Sequence, residues 1–95
     1  MRVISKTRLV EFWSKHSRAK APLELWYQLI SKGSFLDFNA LKQTFGASVD
    51  YVSSKYVFDI GGNKYRLIVA IHFDKQRVYV RHVLTHKEYD LGAWK

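Results

Sequence analysis

Apolar residues follow two different periods along the chain, and the change of period divides it into halves. From Lys6 to about Ser17, Leu9, Phe12, Trp13 and His16 fall at the i, i+3, i+4, i+7 spacing of one helix face. Arg8, Glu11, Lys15 and Arg18 take the other side. A second helix is predicted to open at Pro22, since proline suits the first helical turn. Its apolar positions are Leu23, Trp26, Leu29 and Ile30, and Gly33 marks its end. The short connection makes the pair a helical hairpin. Val3 and Ile4 suggest a short strand ahead of it, and Asn39 to Phe45 a brief helical turn capped by Asn39. Gly46 to Ser54 reads as loop.

The second half alternates with period two. Lys55–Ile60, Lys64–Phe73 and Arg77–Leu84 read as three strands, separated by Gly61-Gly62 and by a turn over Asp74–Gln76. Two-residue turns at Gly61-Gly62 and Lys75-Gln76 would set Phe58 opposite Tyr65, Asp59 opposite Lys64 and Val80 opposite Ile71. One face then collects Phe58, Ile60, Leu67, Val69, Val78, Val80, His82 and Leu84 as a core face. On that face His82 is a satisfied core histidine. The other face carries Arg66, Ile68, Ala70, Arg81 and Val83. There Arg66 and Arg81 are offset by roughly 13 Å along the strands. That face reads either as a solvated surface or as a shallow anion-binding one. Helices first and strands after give an α+β fold: a helical hairpin packed on a small antiparallel sheet, in a single domain over residues 1–95.

Charge sharpens this picture. Sixteen Lys and Arg against eight Asp and Glu give a formal +8 in 95 residues. A polyanionic partner is the first expectation, above all a nucleic acid. With no cysteine, a disulfide framework, a thiolate-bound zinc and a thiol nucleophile are excluded. The longest apolar run is Leu67 to Ile71, far short of a membrane span, and the opening residues form no signal peptide. The expectation is a soluble, cytoplasmic protein that does not engage membranes.

Candidate chemistry gathers just past the last strand, in Thr85-His86-Lys87-Glu88-Tyr89-Asp90. Histidine suits proton transfer near neutral pH. A His, Tyr and Arg set needs no metal to cleave RNA. A base takes the 2′-hydroxyl proton, a cation steadies the charged phosphorane and an acid protonates the 5′-oxygen. Tyr89 suits stacking on an unpaired base. His82 and His86 do not converge as metal ligands would. Gly61-Gly62-Asn63-Lys64 lacks the spacing of a phosphate loop and reads as a hairpin turn.

Gly61-Gly62-Asn63-Lys64-Tyr65-Arg66-Leu67, Val78-Tyr79-Val80-Arg81 and Thr85-His86-Lys87-Glu88-Tyr89-Asp90 together resemble the HigB-type toxins of bacterial toxin–antitoxin systems. Arg2-Val3-Ile4-Ser5-Lys6 and the helices bearing Trp13 and Trp26-Tyr27 fit as well. The resemblance implies the RelE/ParE-like toxin fold and a ribosome-dependent, metal-independent mRNA endonuclease with no cofactor. It implies two kinds of partner: a HigA-like helix-turn-helix antitoxin, and the ribosome with its mRNA. By the same resemblance, Arg66 and Arg81 hold the scissile phosphate, His86 acts as acid or base, and Tyr89 stacks on or orients the substrate. Asn63, Lys64 and Lys87 become phosphate contacts. Where relatives carry lysines ahead of the Gly turn, this chain has Val57 and Asp59, with Lys55 at the strand's start. Two other readings fit the same composition. One is a toxin of this fold that binds a protein such as gyrase without catalysis. The other is a plain nucleic-acid-binding module.

Overall fold

A computed structural model describes residues 1–95. Its elements run β1 (Arg2–Ile4), α1 (Lys6–Lys15), α2 (Lys20–Lys32), α3 (Phe38–Phe45), β2 (Val49–Val52), β3 (Lys55–Ile60), β4 (Tyr65–His72), β5 (Arg77–Thr85) and α4 (His86–Leu91). The five strands form one sheet in the order β1-β5-β4-β3-β2. The sheet is mixed and not wholly antiparallel, because β1 pairs with β5 in parallel, Arg2 beside Arg77 and Ile4 beside Tyr79. A parallel pair needs a long connection, and here α1, α2, α3 and three strands lie between β1 and β5.

The helices lie where the periodicity puts them, with shifts at their ends. α2 begins two residues before Pro22, so the proline falls within the first turn, where its missing N–H has no intrahelical partner anyway. Leu23, Trp26 and Ile30 are buried, whereas Leu29 is 40% exposed and does not join that face. Gly33 caps α2, and its lack of a side chain is a steric requirement. Its φ is −92°, but a Cβ there would sit 2.6 Å from the Phe35 ring. The α-amino group of Met1 donates to the carbonyl of Ile30, 3.0 Å away, which also accepts from the Gly33 N–H at that helix end. α3 is capped by Asp37 and not by Asn39. The Asp37 carboxylate accepts from the Ala40 N–H at 3.0 Å.

Gly46 to Ser54 is not all loop. Val49–Val52 forms the edge strand β2, paired with β3 through a turn at Ser53-Ser54. Both serines hold positive φ, 52° and 66°, as a tight hairpin turn requires. The Gly61–Lys64 connection is four residues long. Ile60 pairs with Tyr65, Phe58 with Leu67 and Asp59 with Arg66. Between β4 and β5, Ile71 pairs with Val78 and Val69 with Val80. Each register differs from the expected one by two residues, which preserves the faces. Gln76 holds the β4–β5 turn at φ 53°, and its amide bonds to the carbonyls of Phe35 and Phe73.

One change does not preserve the faces. A β-bulge falls where Val69 pairs with Val80 but Ile68 pairs with His82, leaving Arg81 as the extra residue. Every side chain of β5 beyond it switches side. Val83 joins the main core, Leu84 joins the opposite face, and His82 is exposed rather than a core histidine. The main core packs Leu9, Leu23, Trp26, Ile30 and Leu41 onto Phe58, Leu67, Val69 and Val78. Phe58 is held edge-on by Trp26 at 5.5 Å and Phe45 at 5.0 Å.

The far face of the sheet is not an open surface. Trp94, 5% exposed, lies on Val57 and Ile68, walled by Val52, Leu84 and Tyr89. Its indole N–H donates to the Tyr89 carbonyl at 3.0 Å. Trp94→Ala is expected to destabilise the protein by about 2–4 kcal/mol, as large-to-small core changes do. The readout is a lower urea midpoint at unchanged slope. A loss below about 0.5 kcal/mol, typical of surface positions, would show that the C-terminal segment does not cover the sheet.

Candidate active site at the β4–β5 end of the sheet

The site is assembled from two short segments at one end of the sheet. The first is the Gly61–Lys64 connection. Gly61 and Gly62 have φ of 63° and 71°, a region that L-residues with side chains rarely hold. The second is α4, which begins as β5 ends. Thr85 caps it, its hydroxyl accepting from the Glu88 N–H while the Glu88 carboxylate accepts from the Thr85 N–H. This reciprocal pair is written in the sequence as Thr-x-x-Glu. The His86 N–H donates to the Lys64 carbonyl at 3.0 Å and ties the two segments together. Asn63, Lys64, Arg66, His86, Lys87 and Tyr89 therefore share one end of the molecule.

Arg66 is 7% exposed and already engaged. Its Nε lies 3.1 Å from Asp59, its direct cross-strand partner. Nη1 donates to the carbonyls of Asn63 and Tyr65, and Nη2 to the Asn63 side chain. Its guanidinium lies over the Tyr89 ring, 5.3 Å from the centroid. Most of the guanidinium's five N–H groups thus face protein acceptors. Arg66 positions Asn63 and Tyr89. Tyr89 is in turn stacked on Trp94, with centroids 5.0 Å apart and planes 14° apart.

His86 is placed differently. Its Nδ1 is 2.9 Å from the Asp90 carboxylate one helical turn on, and both side chains are accessible to solvent. A carboxylate on Nδ1 fixes the tautomer and leaves Nε2 free of that contact. Sequence reasoning left Asp90 out of the site. The i, i+4 spacing of His86 and Asp90, with α4 recognised from its capping box, was the signal that would have found it. Asp59 was missed for another reason. Its pairing with Arg66 depends on the four-residue connection, not on a two-residue one.

Arg81 is not in this cluster. It sits at the bulge, five residues before His86, with its guanidinium 5.8 Å from the Tyr79 ring. Its carbonyl accepts from Arg8 of α1 at 2.9 Å. His82 beside it has its pKa lowered by partial desolvation and then by the positive charges of Lys55, Arg8 and Arg81. Nowhere in the molecule do three His, Asp or Glu side chains gather as metal ligands would.

Because Arg66 is bound into the fold, Arg66→Met is expected to cost about 2–3 kcal/mol in urea unfolding, leaving Asp59 and Asn63 without their partner. Unchanged stability would show that Arg66 is not held by the protein.

A family model described as HigB_toxin, the RelE-like toxic component of a toxin-antitoxin system, matches residues 19–92. The mRNA interferase toxin HigB of Escherichia coli K12 is 35% identical over 92 residues, covering 95% of this chain and 88% of that protein. The mRNA interferase HigB of Shigella flexneri matches to the same extent. The mRNA interferase HigB of Escherichia coli O6:H1 is 32% identical, over 95% of this chain and 89% of its own length. These matches run through the sheet, the Gly61–Lys64 connection and α4, and the chain belongs to the HigB family of RelE-like toxins.

Proposed function

We propose that the protein is an mRNA endonuclease, the toxic half of a toxin–antitoxin pair, and that His86 oriented by Asp90 performs its proton transfers. The observation that carries this reading is the His86–Asp90 pair, 2.9 Å apart, on a helix tied to the Lys64 connection by a backbone hydrogen bond. The relatives' names as mRNA interferases supply the substrate class. α1 and α2 serve as the helical hairpin of the RelE-like fold in this reading.

The chemistry follows from the groups present. His86 Nε2 takes the proton of a ribose 2′-hydroxyl. The freed oxygen attacks the adjacent phosphorus, the P–O5′ bond breaks, and the leaving 5′-oxygen takes the proton back from His86. A 2′,3′-cyclic phosphate and a 5′-hydroxyl end result, with no metal and no cofactor in the step. Lys64 and Lys87 carry the positive charge that steadies the phosphorane, with Asn63 beside them. Arg66 acts through others, holding Asn63 and Tyr89 in place. Tyr89, backed by Trp94, lines the substrate's path. Arg81 lies outside this cluster. The ribosome presents the mRNA, and a HigA-like antitoxin with a helix-turn-helix domain neutralises the toxin.

The test is inducible expression in bacteria with mapping of mRNA 5′ ends, beside cleavage of ribosome-bound mRNA in vitro. His86→Gln is expected to lower the cleavage rate about 10²–10⁴-fold, the usual share of general acid–base catalysis. Its stability should stay within about 0.5 kcal/mol. Asp90→Asn is expected to cost about tenfold, as loss of an orienting partner does. Growth arrest without new 5′ ends would replace this reading with a toxin that blocks a protein target. Salt-sensitive RNA binding with neither arrest nor cuts would replace it with a binding module.

A further inference from the structure

The molecule carries a second cationic groove, away from His86. β1 covers only Arg77–Tyr79 of β5, so the outer edge of β5 is uncovered from Val80 onward. α1 runs beside this bare stretch, and the Arg8 guanidinium reaches across to the Arg81 carbonyl. Between them lies a groove of about 290 Å³, lined by Arg8, Glu11, Phe12, Lys15, Arg81 and His82. Arg8, Glu11 and Lys15 stand at i, i+3 and i+7, so one face of α1 builds its wall. The bulge builds the other wall, because Arg81 as the extra residue is turned out of the ladder.

Its charge is only partly compensated. The molecule's ion pairs are Arg66–Asp59 and His86–Asp90, and neither touches this groove. Arg8, Lys15 and Arg81 face a single acid there, Glu11. The pKa of His82 at its rim is lowered first by partial desolvation and then by Lys55, Arg8 and Arg81. His86 is five residues further along the chain, roughly 16 Å at strand spacing. The lining of the groove includes neither His86 nor Asp90.

We propose that this groove binds the phosphodiester backbone of RNA at a position distinct from the phosphate that is cut. Arg81 and Arg8 form its centre, Lys15 extends it along α1, and Glu11 limits its affinity. Arg81 therefore grips a flanking phosphate and not the scissile one. The inference rests on the RNA-directed reading of the protein, but its readout is binding and needs no cleavage.

The experiment uses the full chain in a His86→Gln background, with a fluorescein-labelled single-stranded RNA titrated over a range of salt. Lys15→Gln and Arg81→Gln are each expected to weaken binding several-fold and to lower the slope of log K against log salt by about 0.7, one phosphate contact on a single strand. Glu11→Gln is expected to tighten binding, an opposite sign that a misfolded variant does not mimic. The same set measured on ribosomal RNA stripped of protein separates the sources. Effects on the oligonucleotide identify a flank of the cleaved strand, and effects on ribosomal RNA alone identify the ribosome as the ligand. Unchanged affinity and slope on both RNAs would overturn the proposal. A groove whose variants impair only the binding of an acidic protein would overturn it equally. Cleavage that survives in His86→Gln while the groove variants still weaken RNA binding would instead sink the assignment of the catalytic pair and leave the groove standing.

Discussion

One inserted residue in β5 sets the layout of the molecule. A strand alternates its side chains with period two, so a single extra residue exchanges faces for everything that follows. With Arg81 as that residue, Val83 faces the helices and Leu84 faces Trp94. Without it, His82 would enter the apolar core and need a buried partner, at a cost that Val83 does not carry. At the bulge the Arg81 carbonyl accepts from Arg8 of α1, and beyond it Thr85 caps α4. The cationic groove and the His86 helix are thus two results of one irregularity.

From this layout follows a division of labour among polar groups. The buried guanidinium of Arg66 is committed to Asp59, Asn63 and the backbone, and the Tyr89 ring is committed to Arg66 and Trp94. These groups form a rigid frame at the end of the sheet. On that frame sit His86, Asp90, Lys64 and Lys87, which keep access to solvent. A frame that is satisfied internally holds its geometry before substrate arrives, and that makes oriented charge effective.

Much of this was legible in the chain itself. The 3.6-residue stripe of α1 and α2 and the alternation of β3, β4 and β5 gave an α+β fold. The Thr85–Asp90 motif pointed to the end of the sheet where the candidate site lies. What was not legible has particular causes. Ser53-Ser54 is not a glycine turn, so β2 carried no punctuation and read as loop. The Thr85–Glu88 capping box is present in the motif, but without assigning the helix it opens, the i, i+4 link from His86 to Asp90 is hidden. The bulge has no sequence signature in Val80-Arg81-His82-Val83, where either alternation places a valine inward. That ambiguity sends His82 to the wrong face in the sequence pattern. The sheet was expected to be antiparallel because β1, only three residues long, was not assigned a partner.

The central claim is that the ribose 2′-hydroxyl is the nucleophile and His86 its base. The most direct measurement is cleavage of a ribosome-bound mRNA with a single 2′-deoxynucleotide at the cut position, on the 5′ side of the scissile bond. The account predicts that this RNA is bound as tightly as its all-ribose counterpart and is not cut. Cleavage at the all-ribose rate would contradict it, because the attacking oxygen would then come from elsewhere and the His86–Asp90 pair would have no hydroxyl to deprotonate.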